Sequence, residues 1–286
     1  MDKKICLITG ANAGIGKAAA VQLAAQGCHV VMVCRDSERG QQALEDVRKA
    51  GGNGSAELMI ADMSLQSSIR ELAEAYPYDK LDVLISNAAA FDLAQKLPQK
   101  TAEGIESVWA TNHIGPVLLV DLFLERLKSS GQGRILTVAS QGLVMHPGLK
   151  IRFDDPEFEK GGFSVAKAYY HSKLAQVMYT FWLANELSGT GVTANCIRVT
   201  NVKVDVSRYP GLSRLAKFAY SIKSKKSISP EEMAKTYVYL ALSEDVDGVT
   251  GRYYDHHQKP VEPSAYSCDK TEAAKLMELT RTYIRQ

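Results

Sequence analysis

Short apolar runs alternate with helical patterns along almost the whole chain, and this alternation limits the available folds more than any other feature. Ile5–Thr9, His29–Cys34, Leu58–Ala61, Val83–Ser86, Arg134–Ala139 and Thr193–Arg198 are apolar nearly throughout rather than at every second residue. Strands have that character when helices cover both faces of their sheet. Helical patterns lie between them at Ile15–Gln26, at Ser37–Ala50 and around Tyr169 through Ala184, with Ser37 placed as an N-cap and Gly51-Gly52 as a stop. Such repetition implies parallel strands joined by right-handed crossovers. The expected fold is one doubly wound α/β domain over residues 1–286.

Nothing in the composition competes with that expectation. The 286 residues are 45% hydrophobic and 23% charged, with no internal repeat, low-complexity tract or linker. Thirty-four basic against thirty-two acidic residues leave a net charge of +2, too small to suggest nucleic acid as a partner. No apolar run in the sequence reads as a membrane span, and MDKKICLITG lacks the apolar core of a signal peptide. Five cysteines without a C-x-x-C pair exclude a disulfide scaffold and a structural zinc site, and they suit a reducing cytosol. The expected partner is a small molecule, with no metal.

Two stretches break the alternation, 141–163 and 201–229, and both follow strands, where open α/β sheets bind ligands. They are expected to shape a substrate site. The second includes seven basic residues from Lys203 to Lys226 against Asp205 alone, either a solvated helix face or a lid that favours an anionic substrate.

Gly10, Asn12, Gly14, Ile15 and Gly16 lie in a T-G-A-N-A-G-I-G turn between the first strand and the first helix. Glycines allow close backbone approach to a pyrophosphate, and a helix N-terminus offers unpaired N–H groups. Further on, Tyr169 and Lys173 are four residues apart, on one helix face. A phenol with a pKa near ~10 becomes a useful acid/base when a cation sits beside it.

Together these residues resemble the short-chain dehydrogenase/reductase family over nearly the whole chain, with finer likeness to its retinol dehydrogenase and protochlorophyllide reductase branch. The resemblance implies a Rossmann-type, mostly parallel seven-stranded sheet. It implies a catalytic tetrad of Asn112, Ser140, Tyr169 and Lys173. Tyr169 would exchange the proton, Ser140 would hold the substrate oxygen, Lys173 would lower the phenol pKa and bind the ribose, and Asn112 would hold a relay water. Pro116, lacking an N–H, would leave the Asn112 carbonyl open to that water. Further cofactor contacts are implied at Asp62, Met63, Asn87, Thr200 and Val202. At the tip of the second strand Cys34 stands where an acid would favour NAD(H), and Arg35 follows, which favours NADP(H); Asp36 could reach the ribose if the strand ran one residue further.

The sequence departs from the family pattern twice. Ala89 replaces a turn glycine, a strained substitution if that position needs positive φ. Val199-Thr200 replaces Pro-Gly beside the expected nicotinamide site. The expected function is carbonyl–alcohol oxidoreduction on a small or medium, largely apolar substrate. Alternatives are a non-redox rearrangement, elimination or cyclisation, or a nucleotide-binding regulator. The 141–163 insertion suggests a monomer.

Overall fold

In the computed structural model of the chain, β1 (Ile5–Thr9) runs between β2 (His29–Cys34) and β4 (Val83–Ser86). Outward lie β3 (Ser55–Ile60) on one side, and β5 (Arg134–Ser140), β6 (Thr193–Val199) and β7 (Tyr253–Tyr254) on the other. The order is β3-β2-β1-β4-β5-β6-β7, and every pairing is parallel. The structure describes residues 3–50, 52–203 and 227–284. Residues 204–226, and with them most of the basic stretch, lie outside the described residues.

Helices cover both faces, as the apolar strands require. On one face α1 (Gly14–Ala25), α2 (Ser37–Ala50) and α7 (Pro230–Leu242) pack on Cys6, Ile8, Val30 and Met32. On the other, α3 (Gln66–Ala75), α5 (Gly115–Ser129) and α6 (Val165–Glu186) pack on Ile5, Leu7, Val31 and Leu84. These strand residues are almost completely buried, and each large aliphatic one contributes roughly 1.5–3 kcal/mol by leaving water. Strand order reverses between β1 and β4, so the crevice for ligands opens at their carboxyl ends, where Thr9, Ser86 and Ser140 stand.

Three sequence expectations need correction. The third strand starts at Ser55 rather than Leu58, because β3 is a sheet edge and carries polar residues: Ser55 Oγ meets His29 Nδ1 at 2.8 Å. Helix α2 is capped by Asp36, whose Oδ1 accepts from Arg39 N–H at 3.0 Å, not by Ser37. The third concerns length and apolarity. The helical stretch Ser107–Ser129 does have the length and hydropathy of a membrane span, contrary to the expectation from the sequence. It comprises the single turn α4 (Ser107–Trp109), a π-helical turn (Ala110–Ile114) and α5, and 72% of its most apolar window is buried inside the molecule.

Candidate active site

The glycine turn leads from β1 into α1. Gly10 has φ of +67°, a conformation that suits glycine, and its N–H donates to Val33 O at 2.8 Å. A Cβ on Gly16 would lie 2.4 Å from Gly10 O and 2.5 Å from Asn87 Nδ2, so only glycine fits. Asn12 and Ile15 are half-buried on this turn. No side chain caps α1 and no acid occupies its first turn, so its N–H groups can receive an anion.

Asn87 ties this turn to β4. Its Nδ2 donates to Thr9 O at 2.9 Å and Gly10 O at 3.3 Å, while Thr9 Oγ1 accepts from the N–H groups of Asn87 and Ala88, both at 3.0 Å. The remaining amide oxygen, Oδ1, accepts from the buried Tyr237 hydroxyl at 3.1 Å. Nothing local in the sequence marks Tyr237, which comes from α7. Ala89 introduces no strain: among the described residues, Phe158 and Gln258 are the non-glycines with positive φ.

At the tip of β2, Cys34 is buried, and burial pushes its thiol up to about 11. A neutral thiol cannot accept ribose hydroxyls as a carboxylate would. The strand stops at Cys34 and Asp36 is used as the α2 cap. The Arg35 side chain is 78% exposed, with Nη1 3.9 Å from Asp62 Oδ2. Asp62 Oδ1 braces its own turn by accepting from Ser64 N–H at 2.8 Å and Ser64 Oγ at 2.7 Å. Met63 is buried in the core beneath α3 and α5. Lys17 pairs with Asp46 on the exposed surface.

The catalytic candidates converge where α6 meets β5. Lys173 is buried, its Nζ donates to Val138 O at 2.7 Å, and it lies 5.6 Å from the centre of the Tyr169 ring. Burial pulls the Lys173 ammonium down to about 8, opposed by Cys196. Tyr169 is half-buried and packs against Phe91, with ring centres 4.5 Å apart. Ser140 ends β5, and its Oγ accepts from Gly142 N–H at 3.1 Å, which leaves the hydroxyl hydrogen to donate elsewhere.

Asn112 lies in the π-helical turn and is wholly engaged. Its Oδ1 accepts from Ala90 N–H at 2.6 Å, and its Nδ2 donates to Ala90 O at 3.1 Å and Ser172 Oγ at 3.0 Å. Ser172 in turn donates to Tyr169 O at 2.8 Å. The amide is therefore a clamp, and what Asn112 can offer a relay is its backbone carbonyl, to which Pro116 has no N–H to give. Thr200 Oγ1 donates to the Gln141 side chain, beside Ser140. Val202 bridges Ile228 in parallel, with Lys203 N–H on Ile228 O at 2.9 Å, so the ends of the 201–229 segment are pinned together. Among the described residues Gly10, Asn12, Gly14, Ile15, Gly16 and Asn87 thus gather at the glycine turn, and Asn112, Ser140, Tyr169, Lys173 and Thr200 at the β5–α6 junction. Arg35 and Asp62 stand instead after β2 and β3, Met63 in the core and Val202 on the bridge to Ile228.

The short chain dehydrogenase family model matches residues 4–150, and that span holds the glycine turn, Asn87, Asn112 and Ser140. The chain belongs to the short-chain dehydrogenase family. Retinol dehydrogenase 14 of Mus musculus is 35% identical over 300 residues, covering 99% of this chain and 86% of its own. Among solved structures, an uncharacterized protein from Mycobacterium paratuberculosis superposes with a TM-score of 0.74 at 26% identity, covering 99% of this chain and 94% of that one. An NAD(P)-dependent gluconate 5-dehydrogenase from Beutenbergia cavernae, with NADP bound at low occupancy, superposes with a TM-score of 0.65 at 26% identity, covering 88% and 94%. Membership makes this short-chain dehydrogenase an oxidoreductase acting between carbonyl and alcohol.

Proposed function

We propose that this short-chain dehydrogenase uses NADP(H) to interconvert a carbonyl and an alcohol on a small or medium, largely apolar substrate, with Tyr169 as general acid/base. The observation that carries this reading is the buried Lys173 ammonium 5.6 Å from the Tyr169 ring. A cation there stabilises the phenolate and brings the phenol closer to working range. With a pKa of about 8, Lys173 stays mostly protonated at neutral pH.

The Gly10–Gly16 cradle and the uncapped α1 suit a pyrophosphate, and Arg35 with no competing acid suits a 2′-phosphate. Bound there, the nicotinamide supplies or takes the hydride. Ser140 donates its hydroxyl to the substrate oxygen and stabilises the charge that develops there. Tyr169 gives that oxygen a proton in reduction and removes it in oxidation. Lys173 also meets the ribose hydroxyls, and the Asn112 carbonyl serves the proton path. Val144 and Met145, 62% and 79% exposed on the turn after Ser140, give the site an apolar rim.

The assay is oxidation of NADPH with a carbonyl panel, followed by transfer from deuterated NADPH. Tyr169→Phe should lose about 10²–10⁴-fold in turnover and still bind nucleotide. Label on the product carbon with stoichiometric NADP⁺ is the expected result. Product without label or net oxidation would exclude simple carbonyl reduction, leaving a non-redox reaction or internal hydride recycling.

A monomer is the expected assembly: segment 141–163 packs on α6 through Ile151, with Leu143, Leu149 and Phe153, in a cluster with Leu174, Ala175 and Met178, and the helix α8 (Lys270–Ile284) adds Ala273 and Leu276 to it. Sedimentation at micromolar concentration tests it. Cysteines kept as thiols are consistent with a cytosolic setting.

A further inference from the structure

Between Tyr169 and Lys173, on another face of α6, His171 is buried among aromatic rings. Trp109 lies 5.1 Å away and Phe158 5.5 Å away, centre to centre. Its Nε2 accepts the backbone N–H of Arg152 at 3.0 Å. That bond settles the tautomer, since an Nε2 that accepts leaves the single proton on Nδ1. Nδ1 has no protein acceptor among the described residues, so the polar hold of the imidazole is the Nε2 bond alone. The bond joins the segment that follows Ser140 to the helix that carries Tyr169.

The same segment is drawn inward at a second point. Phe158 is a buried non-glycine with φ of +59°, a conformation a bulky residue keeps only when its surroundings impose it. Its ring shares an apolar cluster with Val108, Val165 and Ala168, against which Phe91, Phe163 and Tyr169 pack. Arg152 stacks over that ring at 4.5 Å and pairs with Asp155, whose carboxylate also accepts the N–H groups of Glu159 at 2.7 Å and Lys160 at 3.2 Å. The strained turn is thus closed on itself and seated under the catalytic tyrosine.

We propose that His171 is a positioning residue: through Arg152 N–H it latches segment 152–163 against the catalytic helix, fixing the wall of the substrate cleft beside Tyr169. This rests on the proposed reaction, in which Tyr169 faces the substrate. His171 touches neither substrate nor cofactor, and its removal acts on substrate fit.

Two measurements separate the latch from the reaction. Hydrogen exchange on the wild-type protein needs no variant and no turnover. The Arg152 amide should exchange at least about a hundredfold more slowly than an open loop, in step with α6. An unprotected Arg152 amide overturns the latch, whatever the activity.

The second measurement uses His171→Phe, which keeps an aromatic ring beside Trp109 and Phe158 but removes the acceptor, and His171→Gln, which restores one. With decanal as probe, His171→Phe should raise KM about tenfold, the scale of one lost hydrogen bond, with kcat and NADPH affinity within about twofold. His171→Gln should recover most of that loss. A KM unchanged in His171→Phe, a loss of NADPH affinity parallel to the rise in KM, or no rescue by glutamine overturns the proposal. A wild-type protein that reduces no carbonyl but protects the Arg152 amide supports the latch and overturns the proposed reaction instead.

Discussion

Replacing Tyr237 with phenylalanine removes a single oxygen from the interior. That oxygen donates to Asn87 Oδ1 at 3.1 Å, and the Tyr237 side chain is fully buried. Without it the amide oxygen faces the apolar ring edge with no donor, while Asn87 Nδ2 must still hold Thr9 O and Gly10 O. An orphaned buried acceptor costs about 1–3 kcal/mol. For a chain of this size that is a fall in Tm of about 2–10 °C. Part of the cost should appear in nucleotide binding, because the amide that loses its orientation also braces Gly10 and fills the space beside Gly16. Thermal unfolding with and without NADPH, together with a fluorescence titration of NADPH, reads both effects. A decrease in NADPH affinity of about three- to tenfold is expected. A variant with wild-type Tm and wild-type affinity would refute the idea that the phenol orients Asn87.

Three further outcomes follow from the same geometry. Arg35→Ala should weaken NADPH by roughly 1.5–3 kcal/mol, the scale of one charge-assisted contact, and leave NADH nearly unchanged; equal losses for both would show that Arg35 does not read the phosphate. Acid should destabilise the fold through two buried imidazoles. Burial holds His113 down to about 3, aided by His171, and His171 down to about 4, with Arg152 lowering it further and Asp155 opposing. Both are neutral when folded and gain protons on unfolding near pH 6.5, so their stabilisation is complete above that pH and lost as pH falls towards 4; His171 alone accounts for about 3 kcal/mol. Denaturation midpoints flat from pH 7 to 4.5 would contradict this. Gly16→Ala should abolish tight nucleotide binding, since its methyl would overlap Gly10 O; calorimetry showing wild-type affinity would disprove the fit.

The parts legible in the sequence were those whose cause is local. β1, β2 and β4 begin and end where their apolar runs do, because helices cover both faces. The Tyr169–Lys173 spacing works for the same reason, as one helical turn needs no tertiary knowledge. β3 begins earlier than its apolar residues because an edge strand keeps Ser55 and Glu57 near solvent. β7 has two residues, too few for any periodicity. Spacing alone turns His171 away from the catalytic face, yet its bond to Arg152 spans 19 residues, and Tyr237 reaches Asn87 across 150. Such contacts depend on the assembled sheet. Asp36 took the helix cap from Ser37 because the carboxylate, one residue earlier, meets the Arg39 N–H.

The π-helical turn at Ala110–Ile114 has a consequence for how this chain can change. Gly115 N–H reaches back five residues to Ala110 O, so the turn holds one residue more than an α-helix would. Deleting that residue would give the backbone its regular hydrogen bonds and would look like a repair. It would also rotate everything upstream by about 100° relative to α5. Asn112 would swing away from Ala90 and Ser172, and the clamp between the β4 loop and α6 would open. Length variation is therefore closed to this helix, although its backbone would gain from the shortening. Single-residue deletions within Ala110–Ile114 should separate Asn112 from Ala90 and Ser172 and lose activity, even where helical hydrogen bonding is restored.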